Sequence, residues 1–197
     1  MAEVDRERWN RRYAERYAER DESWQPSRWL VEIEPWLERP FPGARALDLA
    51  CGPGRHSIWL AERGWHVDAW DISDVALEVL GAEVERRAAM GDPLAVAPRQ
   101  VDLDTVTIPA RVYDLILNVY FLDRRLWPII AKALLPGGLL ASQTFLDVPG
   151  ARASEVSPAH MLQPGEMRAA FDGLGLHTLL YDETGDPGTA RLLARHP

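Results

Sequence analysis

Arg45-Ala46-Leu47-Asp48-Leu49-Ala50-Cys51-Gly52-Pro53-Gly54-Arg55-His56-Ser57-Ile58-Trp59-Leu60 is the stretch that decides the fold. Its first part is an apolar run holding one acid, as in a strand buried on both faces. Gly52 and Gly54, on either side of Pro53, end that strand and let the backbone turn tightly. Apolar residues at helical spacing follow. A strand that turns on glycines into a helix brings free backbone N–H groups to the carboxyl end of a sheet, where doubly wound folds bind nucleotide-like ligands. Taken alone, Gly52-Pro53-Gly54 is equally well a plain tight connection.

Outward from this stretch, strand and helix patterns alternate, which is how a parallel sheet covered on both faces reads. Strands are expected over 44–49, 65–70, 95–101 and 113–119, with helices over 55–63, 73–90 and 123–134 between them. The turn Pro136-Gly137-Gly138 leads to a fifth strand over 139–145. After a helix over 165–172, runs at 176–181 and 189–195 are joined by the polar turn 184–188. A parallel return needs a crossover of about a dozen residues or more, so these two form an antiparallel hairpin. Upstream, 3–22 reads as an amphipathic helix with Trp9, Tyr13 and Tyr17 on one stripe, and 27–37 as a second helix ended near Pro40 and Pro42.

Composition bounds the reading. A chain of 197 residues, 47% hydrophobic and 26% charged, suits one globular domain over 1–197, with a helical segment at 1–40 and a core at 41–197. A net charge of -8 argues against a nucleic-acid partner held by phosphate neutralisation. The single cysteine, Cys51, makes no internal disulfide and anchors no metal cluster, so no metal is expected. With no apolar signal region and no membrane-length apolar run, a cytoplasmic protein without a membrane partner is expected.

Asp71 strengthens the ligand reading. It ends the second strand about twenty residues beyond the glycine turn, where a carboxylate accepts both hydroxyls of a ribose. Ser73 is the better cap for the following helix, which leaves Asp71 for another task. Gly52, Gly54 and Ser57 approach the G-x-G-x-x-G/A pattern of a nicotinamide-cofactor site. The third position is serine, however, Arg55 and His56 are bulky, and Asp48 would repel a pyrophosphate while welcoming a cationic amino group.

The ordered set Asp48-Leu-Ala-Cys-Gly-Pro-Gly-Arg-His56, Asp71-Ile-Ser73, Val101-Asp102-Leu103, Tyr113-Asp114-Leu-Ile116 and Leu135-Pro-Gly-Gly-Leu139 resembles the class I S-adenosylmethionine-dependent methyltransferases, specifically the small tellurite-resistance-type (TehB-like) ones, over residues 8–195. The resemblance implies a doubly wound, Rossmann-like α/β sheet of seven strands, mostly parallel with the last antiparallel. It implies that Asp48, Ala50, Gly52 and Gly54 surround the methionine part of S-adenosylmethionine and that Asp71 holds its ribose. Ile72, Asp102 and Leu103 match positions flanking adenine, and Asn118 and Val119 match the floor beneath the sulfonium. Trp9, Arg12 and Tyr13 resemble a W-x-x-R-Y segment that folds over the cofactor, with Arg12 meeting its carboxylate.

Such a reaction is an in-line displacement that positioning alone can drive, so no catalytic base is assigned. Tyr120, Phe121, Gln143, Thr144 and Phe145, at the ends of the fourth and fifth strands, are the candidates for lining an acceptor cavity, with the loop 147–163 beside them. His160 reads as a solvent-facing loop histidine, and Cys51 is discounted as a nucleophile for want of a nearby base. Few residues lie beyond the core, so the expected acceptor is a small molecule and the expected state a monomer or homodimer. The alternatives are a cofactor-binding module without catalysis and an NAD-dependent oxidoreductase.

Overall fold

The computed structural model describes residues 2–18, 24–37, 41–148, 157–184 and 188–197. The chain divides into two compact units, Met1–Val106 and Thr107–Pro197.

In the first unit, helix α1 (Ala2–Ala18) and the short α2 (Arg28–Glu32) precede β1 (Arg45–Leu49), α3 (Arg55–Ala61), β2 (His66–Asp71), α4 (Asp74–Ala89) and β3 (Val96–Gln100). The strands lie in the order β3-β2-β1, all parallel, with Asp48 beside Ala69 and Leu49 beside Trp70. Every β1 residue but Arg45 is buried, Asp48 included, as a mostly apolar run covered on both faces demands, whereas β3 is largely exposed. Ser73 caps α4 as expected, its hydroxyl accepting from Ala76 N at 3.1 Å. Leu77 and Leu80 of α4 pack with Cys51, Ile58 and Ala69, and Trp24 closes over that cluster.

The second unit holds β4 (Tyr113–Val119), α5 (Trp127–Ala133), β5 (Leu134–Phe145), α6 (Glu166–Gly173), β6 (His177–Asp182) and β7 (Thr189–Arg195), with strand order β4-β5-β7-β6. β5 runs parallel to β4, and β7 is antiparallel to both of its neighbours, so the last strand is the reversed one. The protein therefore has the seven-stranded, mostly parallel Rossmann-like sheet expected.

Several boundaries differ from expectation. The second helix stops at Glu32 and gives way to a 3-10 turn over Glu34–Trp36, because Pro35 supplies no N–H and restricts the residue before it. The helix expected over 123–134 is a 3-10 turn followed by α5, with Pro128 in its first turn. Pro136-Gly137-Gly138 does not precede the fifth strand but sits inside it, at a register shift between Tyr113 and Leu115. A Cβ on Gly138 would lie 2.9 Å from Leu135 O and 3.0 Å from Tyr113 O, so only glycine admits this bulge. Residues 19–22 of the first expected helix, and 185–187 of the hairpin turn, lie outside the described residues.

Candidate functional site

The chain leaves β1 through Ala50 and Gly52, both left-handed at φ 53° and 55°, and enters α3 through Gly54 at φ 84°. For alanine this conformation costs roughly 1–2 kcal/mol, and such strain concentrates where a backbone must present itself to a ligand. Cys51 N donates to Trp70 O at 3.0 Å, stitching the turn to the end of β2.

Two carboxyls flank this turn. Asp48 is 1% exposed and accepts from Ser57 Oγ at 2.7 Å. Burial raises its pKa to about 7, against the lowering hydrogen bond from Ser57 and with added repulsion from Asp71. Asp71 is 4% exposed; its Oδ2 accepts from Gly52 N at 2.7 Å and its Oδ1 from Ser73 N at 2.8 Å. Burial raises its pKa too, opposed by those same backbone donors. The acid on the second strand is thus fastened directly to the glycine turn on the first, and each oxygen keeps acceptor capacity for a further donor.

The amino-terminal helix is pinned over this place. Ser73 Oγ donates to Asn10 Oδ1 at 2.6 Å, Asn10 Nδ2 donates to Asp74, and Arg6 reaches Asp74 at 3.5 Å. A Cβ on Gly52 would lie 2.8 Å from the Tyr13 hydroxyl, so Tyr13 rests against the turn. Trp9 stacks on Tyr13 with ring centroids 5.8 Å apart. Arg12 is exposed and lies 5.3 Å from the Trp9 ring, so of the three expected residues Tyr13 meets the turn, Trp9 stacks on Tyr13 and Arg12 rests on Trp9.

Sequence reading missed three residues here. Ser57 counted only as a mismatch to a glycine pattern, yet it is the donor to Asp48. His56 counted as bulk, yet its Nε2 accepts from Ser27 N at 3.1 Å and fastens the segment before α2 to α3. Burial lowers its pKa to about 3, which keeps the imidazole neutral. Asn10 hid beside Trp9; the one available signal was a short polar residue beside an aromatic stripe. Burial pushes the Cys51 thiol up, as does the charge of Asp48, which makes it a poor nucleophile.

Of the expected adenine neighbours, Leu103 is buried and Ile72 is half-buried, its carbonyl taking Gln100 Nε2 at 3.1 Å. Asp102 is half-buried and uses Oδ1 to accept from Asp104 N at 2.9 Å, holding the turn after β3.

In the second unit β4 ends in Asn118 and Val119. Asn118 is buried and its Oδ1 has no partner. Tyr120 follows at φ 59°, its N donating to Gln143 O at 2.7 Å, and Gln143 Nε2 donates to the Tyr120 hydroxyl at 3.1 Å. The Tyr120 and Phe145 rings tilt together with centroids 4.9 Å apart. Strand pleating separates the expected lining residues. Gln143 and Phe145 share one face of β5, while Thr144, also buried, shares the other with Ser142, whose hydroxyl donates to Asn118 O at 3.1 Å. Phe121 is half-buried beyond Tyr120. His160 is exposed, in a segment held by Arg124, which donates to Met161 O at 2.9 Å and pairs with Glu166. Residues 149–156 of the loop 147–163 lie outside the described residues. Among the described residues no three His, Cys, Asp or Glu side chains gather as a metal site, and no helix is long and apolar enough to cross a membrane.

Comparison with known proteins agrees with this geometry. Residues 46–138 match the family model described as a methyltransferase domain, a span that runs from β1 through the Gly138 bulge. Ribosomal RNA small subunit methyltransferase C of Alcanivorax borkumensis is 30% identical over 102 residues, covering 50% of this chain and 31% of the relative. The chain thus spans about a third of that curated relative. Among solved structures, an S-adenosylmethionine-dependent methyltransferase from Mesorhizobium loti superposes with a TM-score of 0.65 at 20% identity, covering 84% of this chain and 96% of that one. TehB from Haemophilus influenzae superposes with a TM-score of 0.67 at 21% identity, covering 86% of this chain and 61% of that one. Identities this low establish the fold alone. Glycine turn, reversed last strand and family match agree: residues 46–138 are similar to a methyltransferase domain, carried on the fold that the chain shares with these solved structures.

Proposed function

We propose that this protein is a methyltransferase of one domain over 1–197 that moves a methyl group from S-adenosylmethionine to a small-molecule acceptor in the cytoplasm, as a monomer or homodimer. The observation that supports it most is the bond from Gly52 N to Asp71 Oδ2, which sets a buried carboxylate against a left-handed glycine at the ends of adjacent strands. A carboxylate so placed suits a ribose diol, and the bare backbone of Gly52 lets the Tyr13 hydroxyl stand against the turn as its cover. Asp48, whose raised pKa makes it responsive to a neighbouring cation, suits the amino group of the methionine moiety.

In this reading Asp48, Ala50, Gly52 and Gly54 hold the methionine end, Asp71 the ribose, and Ile72, Asp102 and Leu103 the adenine. Asn118 and Val119 keep the sulfonium role that the resemblance gives them. Trp9 and Tyr13 shield the turn from water, and Asn10 positions them by tying α1 to Ser73 and Asp74. Arg12 is assigned to the cofactor carboxylate, which requires it to leave Trp9. S-adenosylmethionine supplies an activated methyl group with its own leaving group. The protein's part is then to orient the acceptor in line and keep water out. Tyr120 and Phe121 are the proposed acceptor-lining residues, and Thr144, on the other face of β5 from Phe145, would join them only from that side. The net charge of -8 favours a small acceptor over a nucleic acid.

Calorimetric titration tests the cofactor: S-adenosylmethionine should bind and NAD should not. Preferential binding of NAD would replace the reading with oxidoreduction. Labelled methyl transfer to thiols, phenols, amines, oxyanions and an RNA oligonucleotide tests the acceptor. Binding without turnover anywhere in that panel would leave a non-catalytic module, and transfer to the RNA alone would overturn the small-molecule assignment.

A further inference from the structure

Gln143 is 2% exposed and its amide is only half satisfied. Nε2 donates to the Tyr120 hydroxyl at 3.1 Å, but Oε1 is buried with no partner. Its cross-strand neighbour Arg191, the nearest rich source of donors by register, leaves this oxygen unbonded. A buried carbonyl oxygen without a donor is costly, so one that persists calls for a partner or a functional role. The surroundings are built rather than accidental. Tyr120 is held at φ 59°, its ring leans on Phe145, and it is 39% exposed. Gln143 and Phe145 rise from the same face of β5, so the orphan oxygen stands next to an aromatic wall.

We propose that Gln143 is a specificity-determining residue for the methyl acceptor, selecting a flat apolar body that carries an O–H or N–H group. The aromatic pair takes the body and Oε1 accepts from its donor. A phenol or an aromatic amine fits this description. A fully deprotonated oxyanion brings no donor and would leave the oxygen unsatisfied. The inference deepens the methyltransferase reading and rests on it for the word acceptor, but the recognition itself is testable without turnover.

The probes are 2-naphthol, 2-naphthylamine, 2-methoxynaphthalene and 2-naphthoate, titrated by fluorescence into the full-length protein with and without S-adenosylhomocysteine. The two donor-bearing probes should bind at least about ten-fold tighter than the other two, the usual worth of one buried hydrogen bond. Gln143→Met, close in volume, should erase the preference, and Gln143→Glu, which keeps an acceptor oxygen, should retain it. Should Gln143→Met fail to fold, the four probes on the wild type and on Gln143→Glu still decide. Equal binding of all four, no binding of any, tighter binding of 2-naphthoate, or a preference that survives in folded Gln143→Met would overturn the proposal. Failure of S-adenosylhomocysteine to bind would count against the methyltransferase reading instead, while the probe ranking on the unloaded protein judges Gln143 on its own.

Discussion

Replacing Gly54 by alanine separates two demands that the glycine turn places on its sequence. Gly54 sits at φ 84°, so an alanine there carries a backbone cost of roughly 1–2 kcal/mol. Its new Cβ would also fall against the end of Leu80, 2.7 Å from Cδ2 and 2.9 Å from Cγ. Leu80 is fully buried among Cys51, Ile58, Ala69 and Leu77, and so cannot swing away without disturbing that cluster. Overpacking of this kind adds about 1–3 kcal/mol, for a total of roughly 2–5. Gly43 is the internal control: its φ of 89° imposes the same backbone cost, but nothing lies within 4 Å of its added Cβ. Urea unfolding should therefore show Gly43→Ala lower by about 1–2 kcal/mol and Gly54→Ala lower by about 1–3 more, with the slope unchanged. Combined with Leu80→Ala, Gly54→Ala should cost less than the sum of the single changes by about the overpacking part. Equal losses for the two glycines, or strict additivity with Leu80→Ala, would refute the claim that Gly54 is needed for its lack of a side chain.

Asp48 and His56 should give opposite pH slopes. Asp48, raised from 3.8 to about 7, contributes stability that is full below its unfolded pKa and lost as pH rises through about 7; His56, lowered from 6.5 to about 3, contributes stability that is full above 6.5 and lost as pH falls through about 3. Between pH 4 and 6.5 the two nearly cancel, so denaturation across that window should show Asp48→Asn gaining, and His56→Gln losing, up to about 1.4 kcal/mol per pH unit as pH rises; parallel slopes would contradict the assignments. Asp71→Ala strands the buried N–H groups of Gly52 and Ser73 and should lower stability by about 2 kcal/mol or more. It should also weaken S-adenosylmethionine by about 1–3 kcal/mol in a calorimetric titration, and unchanged affinity would remove the ribose role.

The sequence alone determined the elements and their order, because burial on both faces writes apolar runs such as 115–117, or 46–49 with its single acid, and because Gly52, Gly54 and the short hairpin spacing leave few ways to connect them. It also set out Asp48 and Asp71 at the strand ends, since position along a strand is a local property. Partnerships across long separations were not legible. That Ser57 answers Asp48, that His56 receives Ser27 N, that Asn10 reaches Ser73 and that Gln143 keeps one oxygen unmatched depend on which side chains tertiary packing brings within 3 Å or so, and spacing does not encode that. The same holds for Pro136-Gly137-Gly138. Its composition announces a turn, but pairing with β4 on one side and with the tail at His196 on the other stretches it into a bulged strand. Local preference sets what a segment can do, and the hydrogen bonds offered by its neighbours decide what it does.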